Sequence, residues 1–350
     1  MDWYVIDAIG VSYERTKKCL FKPFDLWKWV KLAMVLALVG GGGGHGGNLF
    51  NSFSNSGMGS GYGHDHISDY DPLGPIDGAI ASMLSAAVLP FIMMLLLLII
   101  VLMYISSVME FVLVESLVSN NIRFWEYTRR FLGRGFQLFL IRAASLLLFL
   151  LVLALAVLPF IFVYDMPSGD HLWLSLIGGV MMVVFLLIVF VIIASVLGSF
   201  ISMSIPVAMY CNIGVLSAIL EVLRKFRLDW QQIVVYWVGR AVLGAIVGIG
   251  ALAITILVVL ITLIPFLILD IIVYSLSSLF LSGFEWMVLL PLVLVEMIFF
   301  IIAMTLASMP FGAFLKYHML SFVEKWYPEA SIPFGQGIDI KAEETTGFLA

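Results

Sequence analysis

Charge is scarce in this sequence: Asp, Glu, Lys and Arg make up 12% of it, about half the roughly 25% of an ordinary soluble domain. Hydrophobic residues fill 62% of the 350 positions, more than a soluble core of that size could hide, so lipid is the expected solvent for much of the surface. The few cations are also confined. All eighteen fall at 15–31, 123–142, 224–240 and 316–341, and none occurs in 41–78, 164–172 or 263–285. Only two cysteines are present, Cys19 and Cys211, which leaves no disulfide or cysteine-zinc framework and predicts two reduced thiols. Met1 to Leu20 lacks the positive start and apolar run of a cleaved signal peptide and carries acids in an amphipathic pattern instead. Alternating segments of the kind that build membrane β-barrels are missing too, because the apolar runs are continuous.

What is present is length of apolar run. Leu95 to Tyr104, Leu146 to Phe162, Val180 to Leu197 and Ala251 to Leu263 lie within segments that exceed the roughly 18 residues a spanning helix needs. The fold class is all-α, an integral membrane helical bundle. Cation-rich and cation-free connections alternate, and by the positive-inside rule this predicts six spans, at about 26–44, 82–117, 136–162, 172–210, 230–261 and 286–309. Both termini are then cytoplasmic in a multi-pass protein of the cell membrane. The first span is short, with eleven residues from Trp29 to Val39 before five glycines, Gly40 to Gly44. An outer loop over 45–78 is rich in Gly, Ser, Asn and Asp, a flexible composition. Its Gly-x-Gly-x-x-Gly matches are what any glycine run yields, and no strand precedes them, so nucleotide binding is rejected. Residues 263–284, containing Asp270, read as an outer re-entrant or interfacial helix. Residues 1–327 form one transmembrane domain, and 328–350 read as a disordered acidic tail.

Interfacial helices are predicted at 3–20, 120–135 and 212–227. Each carries an acid followed at three and four residues by cations: Glu14 with Lys17 and Lys18, Glu126 with Arg129 and Arg130, Glu221 with Arg224 and Lys225. A further cation stands at the foot of the next span, Lys31, Arg142 or Arg240. The four-residue spacing suits an ion pair on an exposed helix, worth about 0.2–0.5 kcal/mol. The preceding spans exit in similar phrases, Ser107-Val108-Met109-Glu110, Ser204-Ile205-Pro206 and Ser308-Met309-Pro310. Together these predict a pseudo-threefold internal repeat of elbows between membrane helices. In the second elbow Arg123, Glu126, Arg130 and Arg134 share a face, and Phe124, Trp125, Phe131 and Leu132 are assigned to lipid.

Candidate functional residues follow from this layout. The elbow cations Lys17, Lys18, Arg129, Arg130, Arg224 and Lys225 are either ordinary anchors or contacts for anionic headgroups, at about 1 kcal/mol each near a charged surface. A protein partner or a second copy of the chain docking on them is equally allowed. Glu296 lies in the middle of the sixth span, where a carboxylate must be paired, protonated or wet. Glu110 and Glu115 lie nearer the basic end and are within reach of Arg123 or Arg142. His64, His66, Asp69 and Asp71 are weak metal candidates, since ligand count without a preformed site is insufficient. No Ser or Cys pairs with a nearby His and an orienting acid, so no catalytic residue is assigned. No cofactor or nucleic-acid partner is expected.

Trp3 to Ala8, the run Lys22-Pro23-Phe24-Asp25-Leu26-Trp27-Lys28-Trp29 and the glycines behind a short span resemble a group of uncharacterised archaeal integral membrane proteins. Residues 90–260, with Pro206 to Gly214, a basic elbow and Trp230, are similar to the membrane domain attached to some bacterial glycerophosphodiester phosphodiesterases. The catalytic barrel of those enzymes is absent, so the resemblance implies a membrane module and carries no activity. Three readings are weighed in order: a non-enzymatic scaffold or complex subunit that interacts with membrane lipids or a partner, a small-solute or ion transporter using Glu296, and a membrane-embedded enzyme acting on lipid.

Overall fold

A computed structural model describes residues 4–40, 77–164, 172–280 and 285–334. The described residues form eight α-helices and one short 3-10 turn: α1 (Tyr4–Phe21), α2 (Leu26–Gly40), α3 (Asp77–Val118), α4 (Phe124–Tyr164), α5 (Leu172–Tyr210), α6 (Val215–Leu228), α7 (Trp230–Phe280), α8 (Glu285–Trp326) and the turn Pro328–Ala330. Five of them contain stretches long and apolar enough to cross a membrane: Pro90–Val118, Phe124–Leu155, Met181–Tyr210, Trp230–Phe280 and Trp286–Trp326.

Packed pairs run from α2 through α3, α4, α5, α6, α7 and α8 and back to α2, with α1 laid on α8 and α7. α3 occupies the centre. Its residues 106–118 are all buried, whereas 90–102 of the same helix are all uncovered by protein. Residues 203–209 of α5 and 317–323 of α8 are likewise buried on every side. The protein core therefore sits at one end of the bundle, the end that carries the basic clusters, and the far halves of the long helices present apolar side chains outward. Lipid tails are as apolar as Leu, so nothing drives those far halves together as water would. At the basic end a buried apolar cluster, with Phe111, Phe131, Met203, Ile205 and Phe322 among its members, is joined by polar bonds and close backbone contacts. Gly135 of α4 lies so near α3 that a Cβ there would stand 2.8 Å from the Val108 Cα.

Several sequence expectations change. Of the first span, placed at 26–44, the described part is the 15-residue helix Leu26–Gly40, and the rest lies outside the described residues. That described part is too short to count among the five, and it is held by burying Leu32, Ala33 and Val35 against its neighbours. The elbow at 120–135 does not break from the span at 136–162: both belong to the 41-residue α4, because Gly133 and Gly135 lack the ring clash that ends a helix. The first and third elbows are separate helices: α1 ends at Phe21 before α2 begins at Leu26, and α6 has Gly214 as its N-cap and Asp229 breaking it from α7. Residues 263–280 do not form a distinct outer helix, since α7 runs through Pro265 to Phe280 as 51 residues. A proline inside a lipid-level helix is tolerated when its freed carbonyl finds other donors. The tail expected from 328 onward is ordered over its first part, with Ala330 and Ile332 buried and the Arg15 guanidinium 3.5 Å from the Phe334 ring centre. Phe131, assigned to lipid, is buried and stacks on Phe111, because α4 packs on α3 through its Tyr127, Phe131 and Leu138 side. The outer loop and the rest of the tail lie outside the described residues.

Candidate functional site

The densest polar arrangement lies inside the basic end. Glu110 of α3, with 4% of its side chain exposed, forms ion pairs with Arg142 of α4 and with Lys316 of α8, the latter at 3.2 Å. Arg142 also donates to Ser107 Oγ at 3.3 Å, and Lys316 donates to Ser202 Oγ of α5 at 3.2 Å. Four helices are thus joined through one carboxylate. Arg240 of α7 stands beside this group and donates to Tyr236 Oη at 3.0 Å and to the Leu315 carbonyl at 3.2 Å. Glu115, one turn further along α3, takes a different partner, accepting from Tyr210 Oη at 3.3 Å. Of the two cations offered to Glu110 by sequence, Arg142 is used. Lys316, its second partner, is 206 residues away and carried no sequence signal.

A second layer ties the helix ends together. Tyr317 Oη donates to the Leu117 carbonyl at 2.8 Å. Arg15 pairs with Glu324 at 2.8 Å and donates to Ser321 Oγ at 2.9 Å, while Lys325 pairs with Asp7 at 2.9 Å. These contacts fix α1 to α8. Tyr236, Phe322 and Trp326 stack in a column, with His318 against Tyr236.

The elbow cations separate into two kinds. Lys18, Arg129, Arg130 and Arg224 are exposed. Lys17 lies 5.9 Å from the Tyr13 ring centre, and Lys225 is drawn onto Tyr327, 4.7 Å from its ring centre. The four-residue ion pairs expected in the elbows are replaced by three-residue ones, Arg123 with Glu126 at 3.3 Å and Arg224 with Glu221 at 3.1 Å. Among the described residues no ion pair joins Glu14 to Lys18.

Glu296 of α8 is buried at 9% exposure and faces Asp270 of α7. The sequence reading put Asp270 in a separate outer connection and so missed this pairing of acids, which arises because α7 is continuous. The metal candidates His64, His66, Asp69 and Asp71 lie outside the described residues, and among the described residues no group of three or more His, Cys, Asp or Glu is placed to hold a metal. Cys19 is buried and Cys211 half-buried, both as free thiols. Burial, with Glu329 and Glu221 nearby, pushes the Cys211 thiol up from its ordinary pKa.

Compared with known families, residues 3–332 match a family of unknown function, DUF7544. The chain belongs to this family. The matched region of this DUF7544 protein spans all eight described helices and the ordered turn behind α8, so that turn is part of the family's domain. No curated protein and no solved structure matches the chain.

Proposed function

We propose that the protein is a non-enzymatic scaffold or complex subunit of the cell membrane, with its basic end in the cytoplasmic leaflet and its exposed elbow cations gathering anionic headgroups. The observation that carries this reading is the pairing of exposed cations with uncovered apolar side chains on the same three elements. Lys18 accompanies Ile6 and Tyr13 on α1. Arg129 and Arg130 accompany Trp125 and Leu132 on α4, and Arg224 accompanies Leu216 and Leu220 on α6. Such faces suit the boundary between headgroups and acyl chains. Both termini would then be cytoplasmic, with α2 as a sixth, partial crossing.

A threefold repeat is part of the proposal and has local support. Asn120 and Asn212, each just past the end of a long helix, are left-handed at φ 55 and 54. Each accepts a cation from the preceding helix pair, Asn120 from Lys28 at 2.6 Å and Asn212 from Arg134. Arg240 donating to the Leu315 carbonyl gives the third unit a comparable tie. A transporter would need a wet polar path at the level of Glu296. Among the described residues the structure adds the facing Asp270 there and does not support that alternative.

The test is the lipid composition around the purified protein. Reconstituted in nanodiscs of one part phosphatidylglycerol to three parts phosphatidylcholine, the wild type is expected to retain phosphatidylglycerol above the bulk fraction after partial delipidation. A variant with Lys17, Lys18, Arg129, Arg130, Arg224 and Lys225 changed to Gln is expected to retain less. Equal retention by the two proteins would end the headgroup reading.

A further inference from the structure

The ion cluster around Glu110 is unbalanced. Two cations, Arg142 and Lys316, with side chains 15% and 11% exposed, share one carboxylate, and Arg240 lies within electrostatic reach of Lys316. Three positive charges thus face one negative charge at a mostly covered site, where unpaired charge is expensive and is normally met by a counter-ion. The donors are also not exhausted. Lys316 has used two of its three N–H groups, on Glu110 and Ser202. Arg142 has used two of its five, and Arg240 bonds through one nitrogen only. Ser202 accepts from Lys316 and keeps its own O–H to give.

The positive excess suits an anion with several charged oxygens. Lys316 lies ten residues before the end of α8 and Arg240 ten residues after the start of α7, so both stand about 15 Å inside the basic end. α3 and α8 have 42 residues each, about 63 Å, against roughly 40–45 Å for a whole bilayer. Untilted, these helices exceed the bilayer by around 20 Å, which leaves the basic end room to reach the headgroup region.

We infer that Arg240, Lys316, Arg142 and Ser202 form an internal site for one phosphate group, carried by a phospholipid headgroup entering beside α7 or by free inorganic phosphate. The site differs from the exposed elbows in being built by four helices around a fixed acid, and it stands or falls independently of them. Glu110 holds Arg142 and Lys316 in place and offsets one of the cluster's positive charges. The phosphate oxygens take the remaining donors.

The experiment uses the full chain in detergent with the six elbow cations already changed to Gln, so that elbow binding is removed. Native mass spectrometry is run with dioleoyl phosphatidylglycerol and with dioleoylglycerol, which has the same tails and no phosphate. A parallel arm follows the thermal midpoint of the delipidated protein with inorganic phosphate. One retained phosphatidylglycerol and no phosphate response supports a lipid source. A rise in midpoint with phosphate supports a free-phosphate source. Adding Arg240→Gln is expected to weaken the binding about tenfold or more, Arg240→Lys to restore part of it, and Ser202→Ala to weaken it about threefold, as loss of charged and neutral hydrogen bonds implies. Size-exclusion profiles matching the parent exclude misfolding, and Ser202→Ala serves should Arg240→Gln not fold. No preference for phosphatidylglycerol over dioleoylglycerol together with no phosphate response would overturn the proposal. So would folded Arg240→Gln and Ser202→Ala variants that bind as the parent does.

Discussion

Glu110→Gln should be among the most damaging conservative substitutions in the chain. The glutamine keeps the shape of the side chain and removes its charge, leaving Arg142 and Lys316 facing each other across a site where their side chains are 15% and 11% exposed. At the 3.2 Å separation of Lys316 and Glu110, Coulomb attraction at an effective dielectric near 20 is about 5 kcal/mol for that pair alone. Desolvation of the ions offsets much of this in the intact cluster, but removing one partner leaves the desolvation uncompensated, for a net loss of about 3–5 kcal/mol. That corresponds to a fall in thermal midpoint of roughly 5–10 °C for a chain of this size. The assay is thermal unfolding in one detergent, with Glu126→Gln as control. The Arg123–Glu126 pair is 52% and 43% exposed and should be worth under about 1 kcal/mol. Adding Lys316→Met to Glu110→Gln should recover part of the loss, because a cation without its acid is worse than an apolar side chain in its place. Equal midpoints for Glu110→Gln and Glu126→Gln would refute the reasoning.

Two further outcomes are expected. Gly135→Ala should destabilise the basic end by about 1–3 kcal/mol, since its Cβ would meet the Val108 backbone at 2.8 Å; a midpoint unchanged from wild type would show that α3 and α4 are not so closely packed. Cys211 should be alkylated more slowly at neutral pH than a free cysteine peptide, and its rate should go on rising at pH values where the peptide has levelled off, because its thiol is pushed up by burial and by Glu329 and Glu221. Coincident pH profiles would contradict that environment.

The bulk architecture was legible because it rests on run length, which survives any error of register. Helical character and several spanning segments follow from continuous apolar stretches alone, and α8 runs past its prolines, beyond the 309 expected for the sixth span, into the basic end. Breaks were harder to read. Pro265 and the pair Gly133 and Gly135 look like stops, yet α7 and α4 run through them, because a helix in lipid has no better use for its backbone than to stay helical. Partners across the bundle were harder still. Arg142 was among the candidates for Glu110 because it stands at the foot of the next helix, whereas Lys316 comes from the last helix and needs the ring of packed pairs to be known. Asp270 was hidden from Glu296 by the same misplaced break. Phe131 shows a further limit: in a mostly apolar chain, hydrophobicity does not say whether a side chain meets lipid or another helix.

The sidedness of the basic end bears most directly on the account. In a background with Cys19→Ser and Cys211→Ser, a single thiol at Ser217→Cys, an exposed position on α6, can be probed with a membrane-impermeant maleimide. The account predicts no labelling in intact cells and labelling in inside-out vesicles. Labelling in intact cells would place the basic end outside and contradict it.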